Sequence, residues 1–133
     1  MEYADSNRGI IQNRQRARQI IDFSGLQYGK ITPTDLDGLI EYQNKAFIFY
    51  EFKFGNADLP YGQKLALERL ANRIKDVEVA VLVCEHNTED PNEDINAGNA
   101  IVRNIFYRGK WYSEKRRRSV KQVTDAFIQK CTE

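Results

Sequence analysis

The hydrophobic positions of this 133-residue chain follow two periods, one typical of strands and the other of helices. Apolar runs predict strands at residues 36–42, 46–54 and 77–84. The short segment Gln43-Asn44-Lys45 between the first two runs predicts an antiparallel hairpin. A second hairpin is expected within residues 100–115, turning at Arg108-Gly109.

Apolar residues at helical spacing predict helices over residues 7–23, residues 60–75 and from Ser119 onward. Gln63 lies on the inward stripe of the second helix. This helix would cross over from the first hairpin, which makes the strand at 77–84 parallel to its neighbour. The order of elements predicts one α/β domain spanning residues 1–133, with a central mixed β-sheet flanked by α-helices.

Two opposite charges, Glu51 and Lys53, interrupt the apolar strand 46–54 and project from the same face. Aromatic and aliphatic neighbours occupy both faces, so each charge loses hydration at a cost of several kcal/mol unless a partner compensates it. Asp37 can converge with Glu51 across the hairpin. Two such carboxylates repel each other unless a cation lies between them, which predicts a hard divalent ion.

A metal ion in this position would suit phosphodiester cleavage, because it polarises a phosphate and lowers the pKa of a bound water. Lys53 could orient the water or offset charge on the transition state, and Gln63 could hold the water or a ligand. The alternative is structural, since a Glu–Lys pair on a strand contributes about 0.2–1 kcal/mol without any function. The conjunction of Asp37, the aromatic surroundings and Gln63 favours the functional interpretation.

The segments PTDLDGLIEY, FIFYEFKFG and GQKLALERL resemble the PD-(D/E)XK nuclease superfamily, which has the restriction-endonuclease-like fold. The resemblance covers residues 30 to 85. It implies one or two Mg²⁺ or Mn²⁺ ions held by Asp37, Glu51 and the backbone carbonyl of Phe52. It also implies that Lys53 is catalytic and that Gln63 belongs to the site.

The chain departs from the family pattern at two places. Thr34 follows Pro33, so no literal Pro-Asp is present, and Asp35 competes with Asp37 for the metal. Asp37 is preferred because the hydrophobic residues and the hairpin follow it as they do in the family. Some branches carry a glutamate on the first helix, where this chain has only glutamines, so no fourth acidic ligand is expected.

Composition limits the function classes without selecting one. With 29 % charged residues and a net charge of +1, the chain is typical of a globular protein. It lacks an apolar run long enough to span a membrane and an N-terminal apolar signal region, which predicts a cytoplasmic protein with no membrane partner. Cys84 and Cys131 have no metal-ligand spacing and are expected to be free thiols, and His86 is expected to be structural.

Two basic runs predict contact with a polyanion. Arg14 and Arg18 lie one turn apart on the first predicted helix, and the second run comprises Lys115, Arg116, Arg117 and Arg118. The second run precedes a helix N-terminus, where cations oppose the dipole, so phosphate neutralisation explains it better than helix stability does. Trp111 could stack on unpaired bases or pack within the hairpin.

The sequence therefore predicts a Mg²⁺- or Mn²⁺-dependent nuclease that acts on DNA with structural selectivity or weak sequence specificity. RNA stays open as a substrate. The small size leaves no room for a separate sequence-reading domain and suggests a homodimer that presents two sites. The alternatives are a catalytically inactive nucleic-acid-binding module and a protein-interaction subunit on the same fold.

Overall fold

A computed structural model of the chain describes residues 9–133. The chain divides after Thr34, and the second unit, Asp35–Glu133, contains the whole sheet and both long helices. Because this unit begins two residues before Asp37, it contains both candidate carboxylates, Asp37 and Glu51. Within residues 9–133, no helix is both long and apolar enough to cross a bilayer.

The predicted N-terminal helix over residues 7–23 is wrong for the described residues; residues 7 and 8 lie outside them. Only one helical turn forms, α1 (Arg14–Ala17), capped by the Asn13 side chain, whose Oδ1 accepts a hydrogen bond from the Arg16 N–H at 3.1 Å. Ile20 and Ile21 of the expected apolar stripe are 79 % and 78 % exposed. A helix this short gains little from its own hydrogen bonds, and its length in proteins depends on burying an apolar face.

The second unit is built on a five-stranded mixed sheet in which the strands lie in chain order. The strands are β1 (Gly38–Tyr42), β2 (Ala46–Phe54), β3 (Glu78–His86), β4 (Ile101–Tyr107) and β5 (Lys110–Ser113). The β2 and β3 strands are parallel, and the other neighbours are antiparallel. The predicted mixed α/β architecture is confirmed.

Both predicted hairpins are present, and their turns use left-handed backbone conformations. Gln43 and Asn44 have φ angles of +47° and +58°, and Arg108 and Gly109 have φ angles of +49° and +81°. Two consecutive residues with positive φ match the right-handed twist of the flanking strands. The first turn fixes the register between β1 and β2, and this register decides which residue lies opposite Glu51.

The sequence predicted a sheet flanked by helices, and the two long helices cover its opposite faces. The helix α2 (Tyr61–Arg73) packs on the face that carries Phe49, and α3 (Val120–Thr132) packs on the face that carries Ile48 and Tyr50. The Tyr50 hydroxyl and Thr124 Oγ1 form a buried hydrogen bond of 2.8 Å that ties α3 to β2. Alternation along β2 then turns Glu51 and Lys53 toward the α2 side.

Both cysteines are free thiols, as expected from the sequence. Cys84 is buried in β3, and burial raises the pKa of its thiol to about 12. Burial also raises the pKa of Cys131 in α3. A thiol with a raised pKa stays protonated at neutral pH and is a poor nucleophile, which leaves both residues with a packing role.

A capping box starts α3 and provides a direct test of its contribution. The Ser119 side chain accepts a hydrogen bond from the Gln122 N–H, and the Gln122 side chain accepts one from the Ser119 N–H. We expect Ser119→Ala to lower the free energy of unfolding by about 1 kcal/mol in urea denaturation. The control Ser113→Ala removes an exposed hydroxyl at the end of β5 and should change it by less than about 0.5 kcal/mol. Equal effects of the two substitutions would contradict the cap.

Candidate active site

Four polar side chains meet where β1 begins and β2 passes beneath α2. Gly38 pairs with Tyr50 across the antiparallel hairpin, so Asp37 is the next residue along and faces the Glu51 position. Lys53 lies two residues further on the same face of β2. Gln63 projects from the first turn of α2. The hairpin register and the crossover helix therefore bring Asp37, Glu51, Lys53 and Gln63 together.

The position of Asp37 is fixed by the backbone of β2. Its Oδ2 accepts a hydrogen bond of 2.8 Å from the Phe52 N–H. In a strand, the N–H and the C=O of one residue face the same neighbouring strand, so the Phe52 carbonyl lies on the Asp37 side as well. Three oxygen-bearing groups, two carboxylates and one carbonyl, thus gather at this edge of β2.

Glu51 is a buried carboxylate whose partners do not satisfy it. Glu51 is 3 % exposed, and its Oε2 has no hydrogen-bond partner among residues 9–133. Its Oε1 lies 3.5 Å from Lys53 Nζ, which is long for a charge-assisted hydrogen bond. Removing one ionised carboxylate from water costs several kcal/mol, and Gln63 together with the long ion pair to Lys53 recovers only part of that.

The pKa of Glu51 reflects this environment. Burial first, and the negative charge of Asp37 second, raise the pKa of Glu51 from 4.5 to about 7. Lys53 and Gln63 act in the opposite direction, but they do not restore the ordinary value. The carboxyl therefore titrates near neutral pH, where an additional cation would shift it fully to the ionised form.

Lys53 is held in place by Gln63 and Glu51. Its ammonium donates a hydrogen bond of 3.3 Å to the Gln63 side-chain oxygen and forms the ion pair with Glu51. Its side chain is 22 % exposed, so the ammonium is partly shielded but reachable from solvent. Gln63 supplies a neutral acceptor from α2, which orients the charge of Lys53 without cancelling it.

The donor set suits a hard divalent cation. Asp37 and Glu51 provide carboxylate oxygens, and the buried, unpartnered Glu51 Oε2 is the atom that gains most from an ion. Within the described part of the chain, no group of three or more His, Cys, Asp or Glu side chains is arranged to hold a metal. An ion such as Mg²⁺ would therefore complete its shell with the Phe52 carbonyl, water and substrate, as Mg²⁺ commonly does.

The basic run before α3 is partly neutralised by the acid that immediately precedes it. Glu114 forms ion pairs with Arg116 Nε at 3.1 Å and with Arg118 Nη2 at 2.6 Å. The two arginines hold the pKa of Glu114 at about 2. Lys115 and Arg117 are exposed and have no ion pair with any described residue. Glu114 immediately precedes the run in the sequence, and this position could have indicated that an acid neutralises part of the run.

Trp111 has a fixed orientation in β5. Its indole N–H donates a hydrogen bond of 2.6 Å to Glu68 on α2, and its ring lies 5.1 Å from the Phe106 ring between centroids. Trp111 therefore packs against the α2-side core while staying only partly buried. Arg14 and Arg18 belong to the N-terminal unit, at the start and just beyond the end of α1, and both are exposed.

Sequence analysis missed two further cations on the α2 side of the sheet, Lys64 and Arg103. Arg103 on β4 donates hydrogen bonds to the backbone carbonyls of Ala57 and Gly55, at 2.6 Å and 3.5 Å. A single arginine inside a predicted strand gives no periodic signal. Only the folded structure shows that the Arg103 side chain contacts the loop that follows β2, the strand that carries Glu51.

The raised pKa of Glu51 predicts a pH dependence of stability without added metal. Because the folded pKa lies above the unfolded one, the folded state binds this proton more tightly, and its stabilising contribution is lost as pH rises from about 4.5 through about 7. We expect a loss of about 2–3 kcal/mol from this group between pH 4 and pH 8 in chelator-treated protein. Urea denaturation across this range measures it.

The matched variant Glu51→Gln keeps the shape and removes the titration, so its profile should be flatter over the same range. Millimolar Mg²⁺ at pH 8 should raise the melting temperature of the unmodified protein and leave that of Glu51→Gln unchanged. Identical pH profiles for the two proteins would show that Glu51 does not titrate as described.

Comparison of the chain with protein-family models, with curated proteins and with solved structures finds no match. The chemistry of the site therefore has to be inferred from its own residues.

Proposed function

We propose that this protein is a divalent-metal-dependent nuclease that hydrolyses phosphodiester bonds in DNA. The observation that carries the proposal is the nearly inaccessible Glu51 carboxylate, which faces Asp37 and has an oxygen without a partner among residues 9–133. A domain of this size has little stability to spare, so an unsatisfied buried acid is expected mainly where function requires it.

Asp37, Glu51 and the Phe52 carbonyl would hold Mg²⁺ or Mn²⁺. When bound, such an ion supplies Lewis-acid polarisation of the phosphate and a water of lowered pKa. Oxygen donors of this kind are hard ligands, which favours these two ions over softer metals. The Phe52 N–H donates a hydrogen bond to Asp37 Oδ2 and thereby orients the Asp37 carboxylate.

Lys53 is the residue best placed to act on the attacking water or on the charge that develops at phosphorus. Its ammonium carries a positive charge within 3.5 Å of Glu51 Oε1, and Gln63 accepts one of its protons in a hydrogen bond. A preoriented cation stabilises developing negative charge more than a mobile one does, because it needs no reorganisation during the reaction. Gln63 therefore acts as a positioning residue for Lys53.

The order of elements supports a restriction-endonuclease-like fold. An antiparallel hairpin carries the acids and the lysine, a helix follows, and the next strand returns parallel to the second. This order agrees with the resemblance to the PD-(D/E)XK superfamily that the motif segments suggested. Fold alone does not fix an activity, so the proposal depends on the side chains.

The substrate proposed is DNA bound with structural selectivity or weak sequence specificity. Lys115 and Arg117 retain unpaired positive charge among the described residues, which suits phosphate contacts. A second copy of the chain would present a second site to the other strand of a duplex, and a homodimer is part of the proposal for that reason.

Cleavage assays with matched variants test the proposal. Labelled single-stranded, duplex and branched DNA are incubated with Mg²⁺, Mn²⁺ or EDTA. We expect metal-dependent cleavage, a loss of at least about 100-fold in rate for Asp37→Asn, Glu51→Gln and Lys53→Ala, and a smaller loss for Gln63→Ala.

Two control variants sharpen the result. Lys45→Ala removes an exposed lysine from the turn at the far end of β2, and Asp35→Asn removes the competing acid. Both should keep activity within about threefold of the unmodified protein, as expected of surface positions that do not touch the reaction. Loss of activity in Asp35→Asn with retention in Asp37→Asn would reassign the ligand. DNA binding without cleavage in any metal would favour the inactive nucleic-acid-binding module.

A further inference from the structure

A cleft of about 470 Å³ opens on the α2 side of the sheet, next to the candidate site. Its lining includes Lys64 from α2, Val83 from β3, Arg103 and Asn104 from β4, and Trp111 from β5, with Asp58 at the loop before α2. This volume lies in the range of sites that hold small molecules or single nucleotides. None of these residues has a role in the proposed hydrolysis.

The cleft lies on the same face of the sheet as Glu51, two strands away from it. Glu51 pairs with Val83, and Val83 pairs with Asn104, so these three residues form one row on one face. Neighbouring strands are about 5 Å apart, which places Asn104 about 10 Å from Glu51 along the row. A nucleic-acid strand with its scissile phosphate at Glu51 would therefore have a neighbouring nucleotide within reach of the cleft.

The two cations of the cleft, Arg103 and Lys64, form no ion pair with a carboxylate of the described residues. Arg103 donates to two backbone carbonyls, which are neutral, and its buried Nε has no partner among residues 9–133. Lys64 forms no ion pair with a described residue. Two acids lie nearby, Asp58 in the lining and Glu68 at the Trp111 indole, but neither forms an ion pair with Lys64 or Arg103, whereas Glu114 pairs with both Arg116 and Arg118.

Trp111 supplies an aromatic surface that is already oriented. The hydrogen bond to Glu68 and the contact with Phe106 fix its ring, so binding a base would cost little ordering of this side chain. Lys64 Nζ lies 5.5 Å from the ring centroid. The flexible lysine stem lets the ammonium move from the ring to a phosphate when a base takes its place.

Asn104 adds a group that can contact a base edge. Its side-chain amide, at the floor of the cleft, makes no hydrogen bond to any described residue. An amide offers both donors and an acceptor, the combination that base edges require. Phosphate-binding cations, a stacking surface and a polar floor together describe a nucleotide site.

We propose that this cleft binds one unpaired nucleotide adjacent to the scissile phosphate, with Trp111 against the base and Lys64 and Arg103 facing its phosphate. The inference rests on the proposed nuclease function, because that function sets the scissile phosphate at Glu51. A base within a duplex is stacked and paired and cannot enter the cleft without leaving its helix. The enzyme is therefore expected to prefer substrates with unpaired nucleotides next to the cleaved bond.

The test uses tryptophan fluorescence, because Trp111 is the single tryptophan of the chain. The Lys53→Ala protein is kept in EDTA, so that it cannot cleave, and is titrated with oligothymidylate, with a duplex of equal length and with dextran sulfate. We expect oligothymidylate to quench the emission, the duplex to quench it at least about tenfold less efficiently, and dextran sulfate to leave it nearly unchanged.

Single substitutions then test which side chains contact the phosphate and which contact the base. Lys64→Gln in the Lys53→Ala background should weaken oligothymidylate binding about three- to tenfold and lower the slope against salt concentration by about 1. Lys121→Gln removes a lysine from α3, on the opposite side of the sheet, and should leave both quantities unchanged. Asn104→Ala should weaken binding with no change in the salt slope.

The outcomes separate this inference from the nuclease proposal. Cleavage by the unmodified protein together with absent quenching, or with equal quenching by dextran sulfate or by the duplex, overturns the nucleotide site and leaves the nuclease standing. Selective quenching by oligothymidylate with no cleavage in any metal overturns the nuclease and supports the site as a nucleic-acid-binding cleft.

Discussion

The structure depends on one unfavourable placement, the Glu51 carboxylate buried beside Asp37. A domain of this size folds with a small net stability, so a buried acid that lacks a full set of partners consumes a sizeable part of it. The two responses available are protonation, seen in the pKa raised to about 7, and binding of a cation. Lys53 supplies part of the compensation, but its ammonium is 3.5 Å away and is shared with Gln63.

The rest of the fold keeps that carboxylate where it is. The core on the α3 side, with the Tyr50–Thr124 hydrogen bond, fixes β2 from one face, and α2 covers the other. Arg103 fastens the loop between β2 and α2 to β4 through Ala57. Because the loop leads into the helix that carries Gln63, the distance between Lys53 and Gln63 depends on contacts made two strands away.

The charges of the surface divide into compensated and uncompensated groups. Arg116 and Arg118 form ion pairs with Glu114, and Arg108 forms one with Glu78, so these residues mainly stabilise local structure. Lys64 and Arg103 face the cleft beside the acids without carboxylate ion pairs among residues 9–133. A charge count along the chain cannot make this distinction, because neutralisation depends on which acid the folded backbone brings within reach.

The sequence by itself determined the strand positions, both hairpins, the two long helices and the four polar residues Asp37, Glu51, Lys53 and Gln63, because periodicity and turn chemistry are local properties. It misjudged the first helix, since an apolar stripe predicts a helix only where a surface buries it, and Ile20 and Ile21 stay exposed. Only the tertiary structure decided that Asp37 accepts a hydrogen bond from Phe52, that Glu51 lacks a partner for one oxygen, and that Lys64, Arg103 and Trp111 share a cleft. Those relations join residues far apart in the chain, and no local pattern encodes them.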